Sequence, residues 1–122
     1  MSEAKDKVRH LAAQGRYRLE AYQFLLKALN FTVKSREEKG LRGHVTGGEL
    51  LGGIREYGMK EFGYLARTVF EQWGVRQTDD FGEIVFELVE AEVLSKQETD
   101  RKQDFAKIYD FADAFESPFR KN

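Results

Sequence analysis

The stretch Trp73-Gly74-Val75-Arg76-Gln77-Thr78-Asp79-Asp80-Phe81-Gly82-Glu83-Ile84-Val85-Phe86-Glu87-Leu88-Val89 decides the fold, because it pairs a helix stop with a helix start. Gly74 can take the left-handed conformation that ends a helix, and the Thr78 hydroxyl is placed to cap the next one. Phe81, Ile84, Val85 and Leu88 then recur at helical spacing, with Phe86, Val89 and Val93 on an adjacent face. An apolar helix is predicted over residues 78–94. Asp80, Glu83, Glu87 and Glu90 fall on its remaining side, at steps of 3, 4 and 3. They predict an acidic stripe facing water that would recognise a basic partner.

Upstream, Phe62, Leu65, Ala66, Val69, Phe70 and Trp73 keep helical spacing up to Gly74. Before them, Thr46-Gly47-Gly48-Glu49 matches a capping box, in which the threonine hydroxyl and the glutamate carboxylate each satisfy an otherwise unpaired amide. A helix should begin at Gly47 and bury Leu50, Leu51, Ile54 and Tyr57. Its glycines predict close helix approach at Gly52 and Gly53 and a break near Gly58. They do not make a phosphate loop, since no Gly-Lys-Ser/Thr follows and no apolar strand precedes them. Residues 34–43 are charged and lack an apolar period, which reads as a connection. From Tyr17, two neighbouring stripes (Tyr17, Ala21, Phe24, Ala28, Phe31; Tyr22, Leu25, Leu26, Leu29, Val33) predict a helix central to the core. Residues 1–15 form a peripheral charged helix stopped at Gly15.

Downstream, residues 95–103 are polar and suit either a short helix or the loop of a small hairpin spanning 93–105. Phe105, Ile108, Ala112, Phe115 and Phe119 resume helical spacing among Asp104, Asp110, Asp113 and Glu116 until Pro118. This acidic-aromatic segment is expected to dock on the basic front half of the chain. The expected architecture is all-α: a single compact domain of about five helices over residues 16–122, with the charged helix at its edge.

The chain has 122 residues, 41% hydrophobic and 13% aromatic, enough for one domain with a real core. Its net charge of −1 conceals an asymmetry. Residues 1–44 hold ten Lys and Arg against five Asp and Glu, whereas residues 78–122 hold six against twelve. Arg16, Arg18, Lys34, Arg36, Lys39 and Arg42 form a candidate basic surface that could touch RNA or the ribosome. The absence of Cys excludes disulfides and thiolate chemistry. The first seven residues carry no apolar signal core, and no apolar run approaches 18 residues, so a cytoplasmic protein without a membrane partner is expected.

Catalysis would need one of the two histidines, His10 or His44. His44 with Thr46 is the only polar pair worth noting, and its ordinary role is to bond backbone beside a helix start. No metal or other cofactor is expected, because the carboxylates of the acidic stripe lack the Glu-x-x-His spacing of helical di-metal sites. The turn at Trp73-Gly74 resembles helix-turn-helix spacing. DNA is nevertheless not expected as a partner, since the entering helix carries Asp79, Asp80 and Glu83 toward a polyanion.

His44-Val45-Thr46-Gly47 with Glu49-Leu50-Leu51 and Gly53-Ile54-Arg55, Phe62-Gly63 with Leu65-Ala66-Arg67-Thr68-Val69, Trp73-Gly74-Val75 and Asp80-Phe81-Gly82-Glu83-Ile84-Val85-Phe86 resemble a family of small, conserved, uncharacterised bacterial proteins. Tyr22 with Phe24, Leu94-Ser95-Lys96, Asp104-Phe105 and Tyr109-Asp110-Phe111 match it too, so the resemblance runs from Tyr17 onward. It implies a shared fold and a bacterial source. It implies no activity, and no catalytic residue is carried over. Gly48, Gly52 and Gly58 depart from the helix formers expected in such a protein. The resulting expectation is a non-enzymatic protein-binding or adaptor module, partnered by another protein or by itself, with an RNA- or ribosome-associated protein as the alternative.

Overall fold

A computed structural model of the chain describes residues 3–95 and 102–119. Helices α1 (Glu3–Ala13), α2 (Leu19–Glu38), α3 (Gly47–Phe62), α4 (Ala66–Gln72), α5 (Thr78–Glu90) and α6 (Phe111–Phe115) follow one another. Tight 3-10 turns cover Gly63–Leu65, Lys102–Phe105 and Ser117–Phe119, and the described residues contain no strand. The fold is all-α. The 93–105 hairpin is not formed where the chain is described: Val93 and Leu94 lie in a bend, and residues 102–105 are helical. Residues 96–101, the heart of that choice, lie outside the described residues.

The capping box at Thr46 forms as expected, with the Glu49 amide donating to Thr46 Oγ1 at 3.1 Å and the Thr46 amide to Glu49 Oε1 at 2.9 Å. Gly53 is where α3 meets α2: a Cβ there would lie 1.8 Å from Thr32 Oγ1, so only glycine allows this crossing. Gly52 faces open space, and the close approach expected at both glycines belongs to Gly53 alone. The break expected near Gly58 is displaced to Gly63, where φ is 55°. Gly58 stays helical, and the Phe70 ring packs into the space a side chain there would need.

Three further boundaries differ from expectation. Helix α2 continues through Lys34, Arg36 and Glu38 instead of ending at Lys34, because Lys, Arg and Glu are strong helix formers with or without an apolar period. Helix α5 stops at Glu90, short of Leu94, with Glu92 in the left-handed region at φ 62°. Thr78 does not cap α5. Gln77 holds that position, while Thr78 is fully buried and its hydroxyl donates to the Phe105 carbonyl and accepts from the Ile108 amide.

That pair of bonds seats the C-terminal segment. Phe105 lies against Gly47 and Gly82, at the starts of α3 and α5, where neither glycine could carry a side chain without displacing the ring. Phe111 and Phe115 pack on Phe70, with ring centroids 5.9 and 5.2 Å away, and Phe70 also meets Phe24 at 5.0 Å and Phe81 at 5.4 Å. Phe70 is thus the aromatic centre; Phe81 is equally buried, whereas Trp73 is only partly so. The segment therefore docks on α3, α4 and α5, not on the basic front half as expected, because its driving force is aromatic burial. Ile108, expected inside, is exposed. At the other end, α1 lies along α2 and buries Val8, with Leu11 and Ala12 partly covered.

Candidate functional site

The acidic stripe of α5 does not face water. Asp80 Oδ1 accepts the Tyr17 hydroxyl at 2.7 Å, and its other oxygen accepts the Arg76 amide at 2.9 Å and the Gln77 amide at 3.3 Å. Glu87 accepts the Tyr22 hydroxyl. Arg16 reaches Glu83 at 3.1 Å and Glu87 at 3.9 Å, with its guanidinium also 5.5 Å from the Tyr17 ring centre. Of the four acids, only Glu90 is exposed. The seam joins the start of α2 to the outer face of α5, so these carboxylates hold the fold together. Burial, and then the bonds to Asp80 and Glu87, push the Tyr17 and Tyr22 phenols well above the ordinary tyrosine range. Both stay protonated donors throughout the physiological range. Arg16 itself is more than half exposed, so its ion pairs add at most about 1 kcal/mol.

The candidate basic surface divides. Arg16 belongs to the seam. Arg36 is turned inward: Nε meets Glu49 at 3.1 Å, and the two terminal nitrogens donate to the carbonyls of Gly43 (2.8 Å) and Arg42 (3.4 Å). The Thr46 amide and then Arg36 hold the Glu49 carboxyl below its usual range. Arg18 lies 3.9 Å from Glu20. Lys34, Lys39 and Arg42 remain exposed at the far end of α2, without an ion-pair partner among the described residues.

Among the depressions on the described surface, two are open to solvent and lined by charged side chains. One runs beside the end of α2, lined by Phe31, Lys34, Ser35, Glu37, Glu38 and Glu56. The other lies by the α4–α5 turn, where Arg76, Lys107, Tyr109 and Asp110 contribute and Arg67 is already held by Glu71 and Glu116 at 3.1 and 2.7 Å. His44 lines neither. It stands half-buried before the capping box, with the Thr46 hydroxyl engaged by Glu49.

The element missed at the sequence level is the turn that closes α2. The Gly40 amide donates to the Glu37 carbonyl at 3.0 Å and the Leu41 amide to the Arg36 carbonyl at 2.9 Å, a Schellman arrangement with Gly40 at φ 76°. Leu41 is 47% exposed between Lys39 and Arg42. The signal was present in Lys39-Gly40-Leu41, the same cation-or-aromatic, glycine, aliphatic order that ends α4 at Trp73-Gly74-Val75.

No described helix is long and apolar enough to cross a membrane, and no cluster of three or more potential metal ligands occurs among the described residues. No family model, curated protein or solved structure matches the chain.

Proposed function

We propose that the chain is a non-enzymatic protein-binding or adaptor module of a bacterial cytoplasm, as the resembled family's source implies. The observation that carries this reading is the character of the surface beside α2: an open depression lined by Phe31 together with Lys34, Ser35, Glu37, Glu38 and Glu56. Small-molecule sites are enclosed and mostly apolar. Protein interfaces combine aromatic anchors with a polar, wet rim, as this surface does. The His44–Thr46 pair offers no comparable arrangement, since neither residue lines either of these two depressions.

The RNA reading rests on Arg18, Lys34, Lys39 and Arg42, which are all exposed. Glu37 and Glu38 stand among the last three and weaken their attraction for phosphate. Affinity capture from a bacterial lysate separates the two. Recovery of a stoichiometric protein is expected; stoichiometric RNA without protein would replace this reading with the second. A gel shift with no complex at about 50 mM salt ends the RNA alternative.

A further inference from the structure

Among the described residues, three helices end in the same backbone motif, and the side chain that follows the left-handed residue has a different fate in one of them. At α4, Gly74 is left-handed at φ 93°, the Val75 amide returns to the Phe70 carbonyl at 2.9 Å, and Val75 is fully buried. At α5, Glu92 takes the left-handed position, the Val93 amide returns to the Leu88 carbonyl at 2.9 Å, and Val93 packs against the core. At α2, Gly40 and Leu41 repeat the hydrogen bonds, yet Leu41 stands half exposed. The motif ordinarily sets its apolar residue against the last turn of its own helix. Here the corresponding position on α2 is Arg36, whose guanidinium is drawn beneath the turn to the carbonyls of Arg42 and Gly43 and to Glu49.

The turn is therefore closed by its own hydrogen bonds without covering its apolar residue. Gly40 and Gly43, both left-handed, shape it, and Arg36 braces it from below to the capping box of α3. Lys39 and Arg42 flank Leu41, both exposed and without an ion-pair partner among the described residues. A preformed turn presenting one aliphatic side chain between two cations loses little conformational freedom on binding.

We propose that residues 39–43 are the binding tip of this chain, with Leu41 packing against an apolar side chain of a protein partner and Lys39 and Arg42 meeting the carboxylates that flank it. This rests on the protein-binding reading and names the surface and the partner's chemistry. The charge pattern selects a protein over a nucleic acid or an anionic membrane. Glu37 and Glu38 sit within the same end of α2 and oppose a continuous sheet of phosphates, whereas discrete carboxylates can be placed to meet only the cations.

The test pans a random dodecapeptide phage library against the folded chain and measures the enriched peptides by fluorescence anisotropy. The expected peptides carry Asp or Glu on both sides of a Leu, Ile or Phe. Their affinity falls by at least about tenfold with L41D and with the K39E/R42E pair, weakens with salt, and is unchanged by A13D at the remote end of α1. Circular dichroism reports folding of each variant; should L41D unfold, the charge-reversal pair decides alone. Peptides that bind equally well to L41D and to K39E/R42E overturn this tip while leaving the binding module standing. A library that yields no binder, with RNA or phosphatidylglycerol vesicles bound instead, overturns both.

Discussion

The ends of α4 and α2 are built from the same hydrogen bonds and the same left-handed glycine, and they do opposite work. At Trp73-Gly74-Val75 the chain turns inward: Val75 enters the core, and the Trp73 carbonyl accepts the Arg18 amide at 3.1 Å, tying the start of α2 to this corner. At Lys39-Gly40-Leu41 the chain turns outward, because an arginine occupies the place where an apolar partner for Leu41 would lie. Backbone geometry alone does not say whether a helix end is core or surface. The side chain one turn back does.

The largest effect that sharpens this contrast is an aspartate at the equivalent sites. V75D puts a charge into a fully buried position and should cost about 4 kcal/mol or more, read as loss of cooperative folding or a collapse of the denaturation midpoint. L41D should change stability by less than about 0.5 kcal/mol in the same urea titration. Equal losses would mean that Leu41 is part of the core after all.

Next come the glycines. An alanine at either position must adopt a left-handed backbone, at about 1–2 kcal/mol. At Gly74 its Cβ would also lie 3.0 Å from the Arg16 carbonyl, whereas at Gly40 it meets nothing within 4 Å. G74A should therefore cost roughly 2–3 kcal/mol and G40A no more than about 2. At the end of α5 the same position is held by Glu92. E92G should stabilise the chain by up to about 1 kcal/mol in the same urea titration.

The smallest effect concerns acid. Glu49 braces the outward turn through Arg36, and the Thr46 amide and Arg36 lower its pKa in the folded chain. A lowered folded-state pKa means that the stabilisation is full above the ordinary glutamate range and is lost as pH falls through the folded value. The protection factor of the Thr46 amide, which donates to Glu49, should fall as pH drops through the folded-state pKa of Glu49 while that of the Val75 amide is kept. E49A, which removes the acceptor, should leave the Thr46 amide with the same low protection factor at neutral pH.

Charge was the least legible property in the sequence. Asp80, Glu83 and Glu87 occupy one side of α5 at helical spacing and read as solvated, but Tyr17, Tyr22 and Arg16, more than sixty residues earlier, come to lie across that side and take up the carboxylates. A periodic pattern shows that residues share a face. It cannot show what that face meets, since the partners are set by chain crossings far apart in sequence. Thr78 misled for the same reason: its type suits a cap, yet the Phe105 carbonyl and Ile108 amide claim its hydroxyl.

The sequence by itself determined the helical class, the cap at Thr46, the stop at Gly74 and most of the buried positions, because these follow from local backbone chemistry and apolar period. Only the tertiary structure decided that Gly53 and not Gly52 is the crossing point, that the aromatic C-terminal segment seats on Gly47, Gly82 and Phe70, and that Arg36 braces from within while Lys39, Leu41 and Arg42 stand outside. Each of those outcomes depends on which surfaces meet when the helices pack, and that information resides in contacts between distant segments.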